Sequence, residues 1–156
     1  MADFDERAFR SALGCFATGV TVVTTRTERG PLGMTANSFA SVSLSPPLVL
    51  WSPARRSLRF PAFEAAAFFA IHILAEDQQS LSDRFAREGE DFSGIDVTEG
   101  LGKMPILSGC AAVLECARAA GHDAGDHLIL VGEVQRLTQS DASPLLYHRG
   151  QYAALG

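Results

Sequence analysis

Runs dense in β-branched and aromatic residues recur along this chain with turn-forming clusters between them, and its helical segments are too few and too irregularly spaced to serve as crossovers of a parallel sheet. GVTVVTTRT at 19–27 is followed by the turn ERGPLG. PPLVLWS at 46–52, AFFAIHIL at 67–74, AAVLECARA at 111–119 and LILVGEVQRLT at 128–138 read as further strands, and LLYHRGQYAAL closes the chain as a hairpin turning through HRG. Strands joined by short turns pair antiparallel, so the pattern predicts a mainly antiparallel barrel of about five to seven strands flanked by two or three helices. A length of 156 residues matches one domain, expected to run over 1–156.

Phe4, Ala8, Phe9, Ala12, Leu13 and Phe16 recur at helical spacing behind Asp3, which predicts an opening helix of about four turns. A short second helix is expected from after Arg55 to near Ala65, ended or kinked by Pro61. Residues 76–87 should form a surface helix with Leu81 and Phe85 inward. SFASVSLS at 38–45 alternates as a strand whose phase shifts at Ala40 and Ser41, the mark of a bulge. Residues 88–109 read as irregular.

With 13 basic and 18 acidic residues, a net charge of −5, there is no whole-chain attraction to nucleic acid or to an anionic membrane. No run approaches the roughly 20 apolar residues of a membrane span. The opening MADFDERAFRSAL is acidic and amphipathic, unlike a secretory leader, so the expected location is cytoplasmic. Cys15, Cys110 and Cys116 lack zinc-site spacing and read as buried free thiols.

GxGxxG, the phosphate loop, HExxH and GxSxG do not occur, and GLGKMP at 100–105 only superficially resembles the first. His72, His122, His127 and His148 form no close pair, so no metal site is expected. His72 reads as a hydrogen-bonded strand residue. His127 follows Gly125 and Asp126 at the entrance to an apolar strand, where its ring can emerge at a barrel rim. On spacing alone a functional His127 and a plain turn closed by Asp126 stand even.

Residues 31–57 concentrate hydroxyls and small side chains beside that apolar sheet. Met34, Thr35, Ala36, Asn37 and Ser38 can offer amides and hydroxyls to the polar edge of a planar ligand, and Ser52, Arg55, Arg56 and Ser57 can bind a phosphate at its other end. A solvated Ser/Thr-rich strand followed by exposed arginines is the plainer reading of each half taken alone.

In order, FATGVTVVTT, GMTANSFASVSLSPPLVL, SPARRS, FFAIHIL with DQQSLSDRFA, GCAAVLEC, AGDHLILVGEV and PLLYHRGQY resemble the flavin reductase-like family with an FMN-binding split barrel. The resemblance extends especially to the small NAD(P)H:flavin oxidoreductases that supply two-component monooxygenases. The resemblance covers nearly the whole chain. It implies a mainly β fold with flanking helices, a six-stranded antiparallel Greek-key split barrel that forms a homodimer, with flavin near the subunit interface. It also implies that Met34, Thr35, Ala36, Asn37 and Ser38 line the isoalloxazine, and that the turn Ser52, Pro53, Ala54, Arg55, Arg56 and Ser57 holds the ribityl phosphate. Phe85 and Ala86 match a further flavin-contacting stretch, and Trp51 either borders the ring or packs in the core. His127, in the GDH motif, is the catalytic-site candidate at the nicotinamide, with Tyr147, His148, Arg149 and Tyr152 beside it.

The activity so implied is hydride transfer from NADH or NADPH to FMN, or to FAD, with the reduced flavin passing to a monooxygenase. The cofactor carries the chemistry, so no catalytic triad or carboxylate pair is required. A non-catalytic flavin- or haem-binding carrier or sensor on the same barrel is the alternative, and a purely structural dimeric barrel the third reading.

Overall fold

In the computed structural model, which describes residues 2–156, the chain runs α1 (Glu6–Leu13), β1 (Thr18–Gly19), β2 (Thr21–Thr27), β3 (Gly30–Ala36), β4 (Ala40–Ser43), β5 (Leu48–Trp51), α2 (Phe60–Ala65) and β6 (Phe68–Ile73). It continues through α3 (Gln79–Arg87), β7 (Val97–Glu99), a 3-10 turn (Leu101–Lys103), β8 (Pro105–Leu107), β9 (Ala112–Ala124), β10 (His127–Gln139), β11 (Leu146–His148) and β12 (Gln151–Ala153). Met1, the first residue of the unit expected over 1–156, lies outside the described residues.

The main sheet has seven strands in the order β3-β2-β6-β9-β10-β5-β4, and every pairing is antiparallel. A flat sheet of that width would hold its edge strands about 29 Å apart, at about 4.8 Å per spacing. Yet the two edges, β3 and β4, are consecutive in the chain and joined only through Asn37, Ser38 and Phe39, whose extended reach is at most about 15 Å. The sheet must therefore curl until its edges meet, which is a barrel with a seam. Counted as one bent strand crossing that seam, β3 and β4 reduce the seven to the six of the expected split barrel. Ser38 pins the crossing, its Oγ accepting the Ser52 N–H at 2.9 Å just beyond β5.

Both faces of β2 are buried, which accounts for its unbroken β-branched run. Val23 faces the barrel interior with Trp51, Phe63, Phe69, Ile71 and Leu130. Val20 and Val22 face a second cluster under α3 and the 88–109 segment, with Leu74, Phe85, Met104, Leu107 and Leu145. His72 on β6 spans this second layer as the sequence leads one to expect, with no exposed surface. Its Nε2 accepts the Leu107 N–H at 3.0 Å and its Nδ1–H donates to the Val22 carbonyl at 2.9 Å, a neutral ring. Burial pushes its pKa down to about 4.

Several local expectations change. The opening helix has eight residues, because Asp5 rather than Asp3 caps it, accepting the Ala8 N–H at 2.8 Å, and the chain leaves it at Gly14. Pro61 neither ends nor kinks α2; it lies in the first turn, where no amide donor is needed. Residues 88–109 contain the β7–β8 hairpin, whose three-residue strands are too short for any periodicity to register. The bulge in β4 falls between Ser41 and Ser43, slightly later than the phase shift indicates. Cys110 and Cys116 are buried thiols held above their ordinary pKa by desolvation, up to about 11 and about 12, whereas Cys15 is exposed just past α1.

Candidate functional site

A cavity of about 320 Å³ opens at the seam, within the usual range for a small-molecule site of about 300–1,000 Å³. Its walls are residues 34–38, then Ser52, Pro53, Ala54 and Ser57 after β5, Phe85 and Ala86 from α3, and His127 at the start of β10, together with Arg59. Topology explains the meeting: β3 and β4 are brought together by closure, and β5 pairs with β10, so the turn after one lies beside the start of the other. An isolated bridge between Ala54 and His127, and the Leu128 N–H donated to the Pro53 carbonyl at 3.1 Å, fix the two in register.

Gly33 reveals which way the edge strand faces. Its N–H donates to the Gly89 carbonyl at 2.9 Å and its carbonyl accepts from Arg59 Nη1 at 2.8 Å, so both groups point away from β2. With the antiparallel period of two, the N–H and carbonyl of Thr35 lie on the same unpaired edge, in the cavity wall. The Thr35 hydroxyl, expected to face a ligand, is instead committed to the Ser82 carbonyl at 2.7 Å and ties β3 to α3. Met34 contributes its side chain to the barrel interior, leaving small residues and main chain along the wall.

The turn after β5 divides its arginines. Arg55 does not line the cavity: its guanidinium pairs with Asp123 and lies 5.4 Å from the Phe60 ring centroid, while its N–H donates to the Asp126 carbonyl at 2.9 Å. Arg56 is exposed and outside the lining. The cation in the wall is Arg59, which the sequence reading passed over because it stopped at Ser57. Arg59 Nη1 donates to the carbonyls of Gly33 at 2.8 Å and Phe85 at 2.5 Å, which holds the guanidinium plane at the end of α3. Burial lowers its pKa, with Glu88 acting in the opposite sense. Ser57 Oγ accepts the Arg59 N–H at 3.1 Å and keeps its own proton for a ligand.

Trp51, one of the ring-bordering candidates, has no exposed surface and packs edge-on against Phe63 at 5.1 Å and Phe69 at 6.2 Å. A strand side chain pointing into the barrel cannot also face the rim, so of the two expectations for Trp51 the core placement holds. His127 Nδ1–H donates to Asp126 Oδ1 at 2.7 Å, which leaves Nε2 for the cavity. That bond is the leading reason the Asp126 carboxyl sits below the usual carboxylate range.

A smaller cavity of about 200 Å³ shares Thr35, Ala36, Asn37 and Ala86 with the first and is closed by Val20, Ser82, Tyr147 and Tyr152. Tyr147 and Tyr152 face each other across the β11–β12 pair, ring centroids 5.3 Å apart. The Ser82 hydroxyl lies 2.6 Å from Tyr152 Oη, whose O–H donates to Asp83 Oδ1 at 3.1 Å. Burial is the first cause raising the Tyr152 phenol pKa. Ser82 and Asp83 carry no sequence signal beyond their place on α3. His148 and Arg149, expected beside the tyrosines, line neither cavity; both are exposed, and Arg149 has φ 51° in the hairpin turn.

The donor set at the seam has an unpaired main-chain edge for a planar polar ring, and hydroxyls with a guanidinium for an anion further along. No group of acidic, histidine and cysteine side chains suited to a metal ion occurs among the described residues. Comparison with known proteins agrees in kind. The chain is 55% identical over 148 residues to the FMN reductase (NADH) SmoA of Agrobacterium fabrum, covering 95% of this chain and 85% of the relative. It is 43% identical over 153 residues to HsaB, the reductase subunit of a flavin-dependent monooxygenase of Rhodococcus jostii, covering 97% and 78%. The structure of the NADH:FAD oxidoreductase SgcE6 of Streptomyces globisporus superposes with a TM-score of 0.93 at 36% identity, covering 100% of this chain and 96% of that one. Residues 13–156 match the flavin reductase like domain, and with that span of the sequence, the seamed barrel and the relatives all in agreement, the chain belongs to that family.

Proposed function

We propose that the chain is an NAD(P)H-dependent flavin reductase, passing hydride from NADH or NADPH to FMN or FAD and releasing the reduced flavin to a monooxygenase partner. The observation that carries the reading is the convergence at the seam of the Thr35 edge, the serine-rich turn with Arg59, and His127. Similarity to an NADH-dependent FMN reductase and to a monooxygenase reductase subunit supports it. The fit to flavin rests on the donor set: open main-chain groups for the ring's polar edge, and two serines with a guanidinium for its phosphate.

When bound, the flavin supplies the hydride-accepting chemistry, and the protein's contribution is placement. Thr35 N–H and the Asn37 carboxamide would hold the polar edge of the ring, where donors would stabilise negative charge. Ser52, Ser57 and Arg59 hold the phosphate, with Arg56 adding charge from outside. His127, its ring fixed by Asp126, presents Nε2 to the nicotinamide carboxamide and transfers no proton. Tyr147 and Tyr152 wall the adjoining space, and Ala86 borders the ring face while Phe85, with no exposed surface, backs that wall from the buried cluster under α3. The same reading takes residues 1–156 as one reductase domain working as a cytoplasmic homodimer. The apolar face of α1, with Phe4, Phe9, Leu13 and Phe16 half or more exposed, supports the dimer.

Anaerobic stopped-flow absorbance tests the reading: protein with FMN is mixed separately with NADH and with NADPH. Rapid bleaching of the flavin band with at least one nucleotide is expected. Tight flavin binding with no bleaching by either would overturn it in favour of a carrier.

A further inference from the structure

Ser82 bonds to both walls of the smaller cavity. Its carbonyl accepts the Thr35 hydroxyl at 2.7 Å, and its own hydroxyl lies 2.6 Å from Tyr152 Oη. The Asp83 carboxylate can only accept, so the single phenolic proton of Tyr152 goes to Asp83 Oδ1 at 3.1 Å, and the Ser82 O–H is the donor in the shorter bond. The bonds therefore run one way, from Ser82 through Tyr152 to Asp83. A serine inside a helix ordinarily turns its hydroxyl back to the carbonyl one turn earlier. This one, with no exposed surface, reaches across to a different sheet.

The strand it reaches is held by little else. β12 is the edge of the sheet β1-β11-β12 and pairs with β11 alone. Among the described residues, the hydrogen bonds that join β12 to the molecule outside that sheet are the two at the Tyr152 phenol. Tyr147 packs edge-on against Tyr152, so the pair moves together. Ser82 thus sets where the tyrosine pair stands relative to Thr35, and Asp83 sets the direction of the phenol O–H. Hydride transfer is sensitive to such placement, because reacting atoms must approach to about 3–3.5 Å and an error of about 1 Å can cost about a hundredfold in rate.

Resting on the reductase reading above, we propose that Ser82 and Asp83 are positioning residues for the hydride step, holding the tyrosine wall through Tyr152 at a fixed spacing from the Thr35 edge and so setting the approach of nicotinamide to flavin. Ser82 is buried and Asp83 lies outside both linings, so the effect runs through the phenol. It falls on the rate of transfer, while flavin affinity belongs to the seam cavity.

The test compares Ser82→Ala, Tyr152→Phe, Asp83→Ala and Asp83→Asn with the wild type. Ser82→Ala keeps the carbonyl that holds Thr35, and Asp83→Asn keeps an acceptor for the phenol. FMN affinity is measured by fluorescence titration, and the limiting rate of flavin bleaching by anaerobic single turnover with NADH and with NADH deuterated at both C4 positions. Ser82→Ala, Tyr152→Phe and Asp83→Ala should each lower the limiting rate by about tenfold or more, with a primary isotope effect and an FMN affinity within about twofold of wild type. Asp83→Asn should recover most of the rate lost in Asp83→Ala. Unchanged limiting rates in Ser82→Ala and Tyr152→Phe would overturn the proposal. Rate and FMN affinity falling together would reduce the network to a structural tie, and a loss confined to the NADH concentration dependence would make it a binding contact; either result equally overturns it. A wild type that binds FMN but is bleached by neither NADH nor NADPH would instead remove the reductase reading, and this inference with it.

Discussion

Arg55 and Arg59 stand four residues apart in the turn that leads into α2 and have opposite uses. The first stabilises the β9–β10 tip through Asp123; the second is anchored by main-chain carbonyls in the wall of the seam cavity. The sequence pointed to Arg55 and Arg56 and stopped short of Arg59, because nothing local reveals that Asp123, far along the chain, claims Arg55. Arg59→Ala is expected to weaken FMN by about tenfold or more, the scale of a lost charged hydrogen bond, and riboflavin much less, because riboflavin lacks the phosphate. Arg55→Ala should move the two together by less than about threefold. Fluorescence titration of both ligands separates these outcomes, and an unchanged FMN-to-riboflavin ratio in Arg59→Ala would count against its role. Trp51 supplies the complementary control: Trp51→Phe should alter the unfolding midpoint while leaving the FMN affinity within about twofold. For His127, replacement by alanine should raise the KM for the nicotinamide nucleotide with little change in flavin affinity; equal losses in steady-state kinetics and flavin titration would argue for a structural role.

At the scale of elements, β2 and β6 show why strands were the most legible part of the chain. Each is buried on both faces, so each is written as a continuous apolar or β-branched run. Short elements left no such trace: the β7–β8 hairpin has three-residue strands, and α1 is shorter than expected because of a cap at Asp5 and an exit at Gly14. The seam cavity was legible as a set of hydroxyls and small residues, but not the direction each group points, which the strand register decides. His72 gives β6 a pH signature. Its pKa is depressed from 6.5 to about 4, so the folded state binds fewer protons than the unfolded one between those values. The stability it contributes is complete above pH 6.5 and is lost as the pH falls towards 4, by roughly 3 kcal/mol in all. Urea midpoints measured between pH 7 and pH 4 should fall steeply in the wild type and more shallowly in His72→Gln; parallel slopes would assign the acid sensitivity to other groups.

Across the whole molecule, the least satisfied surface is the face of α1, where no residue of the helix is buried while Phe9 and Leu13 stay half or more exposed. Lone apolar residues on a surface are ordinary, but a row of four from Phe4 to Phe16 is not. Phe9→Asp and Phe16→Asp together should convert the proposed dimer to monomer in sedimentation velocity without lowering the unfolding midpoint of the barrel. A dimer that persists would move the interface elsewhere.

The three-residue crossing at 37–39 is both the clasp of a hoop and one jaw of its mouth. A longer crossing would slacken the hoop and misalign the jaw in a single step, whereas the tip at Gly125 and Asp126 can gain residues with the barrel still shut. Variation in length among chains built this way should therefore gather at the hairpin tips and leave the clasp alone, so that the part most directly facing the ligand is also the part least free to drift.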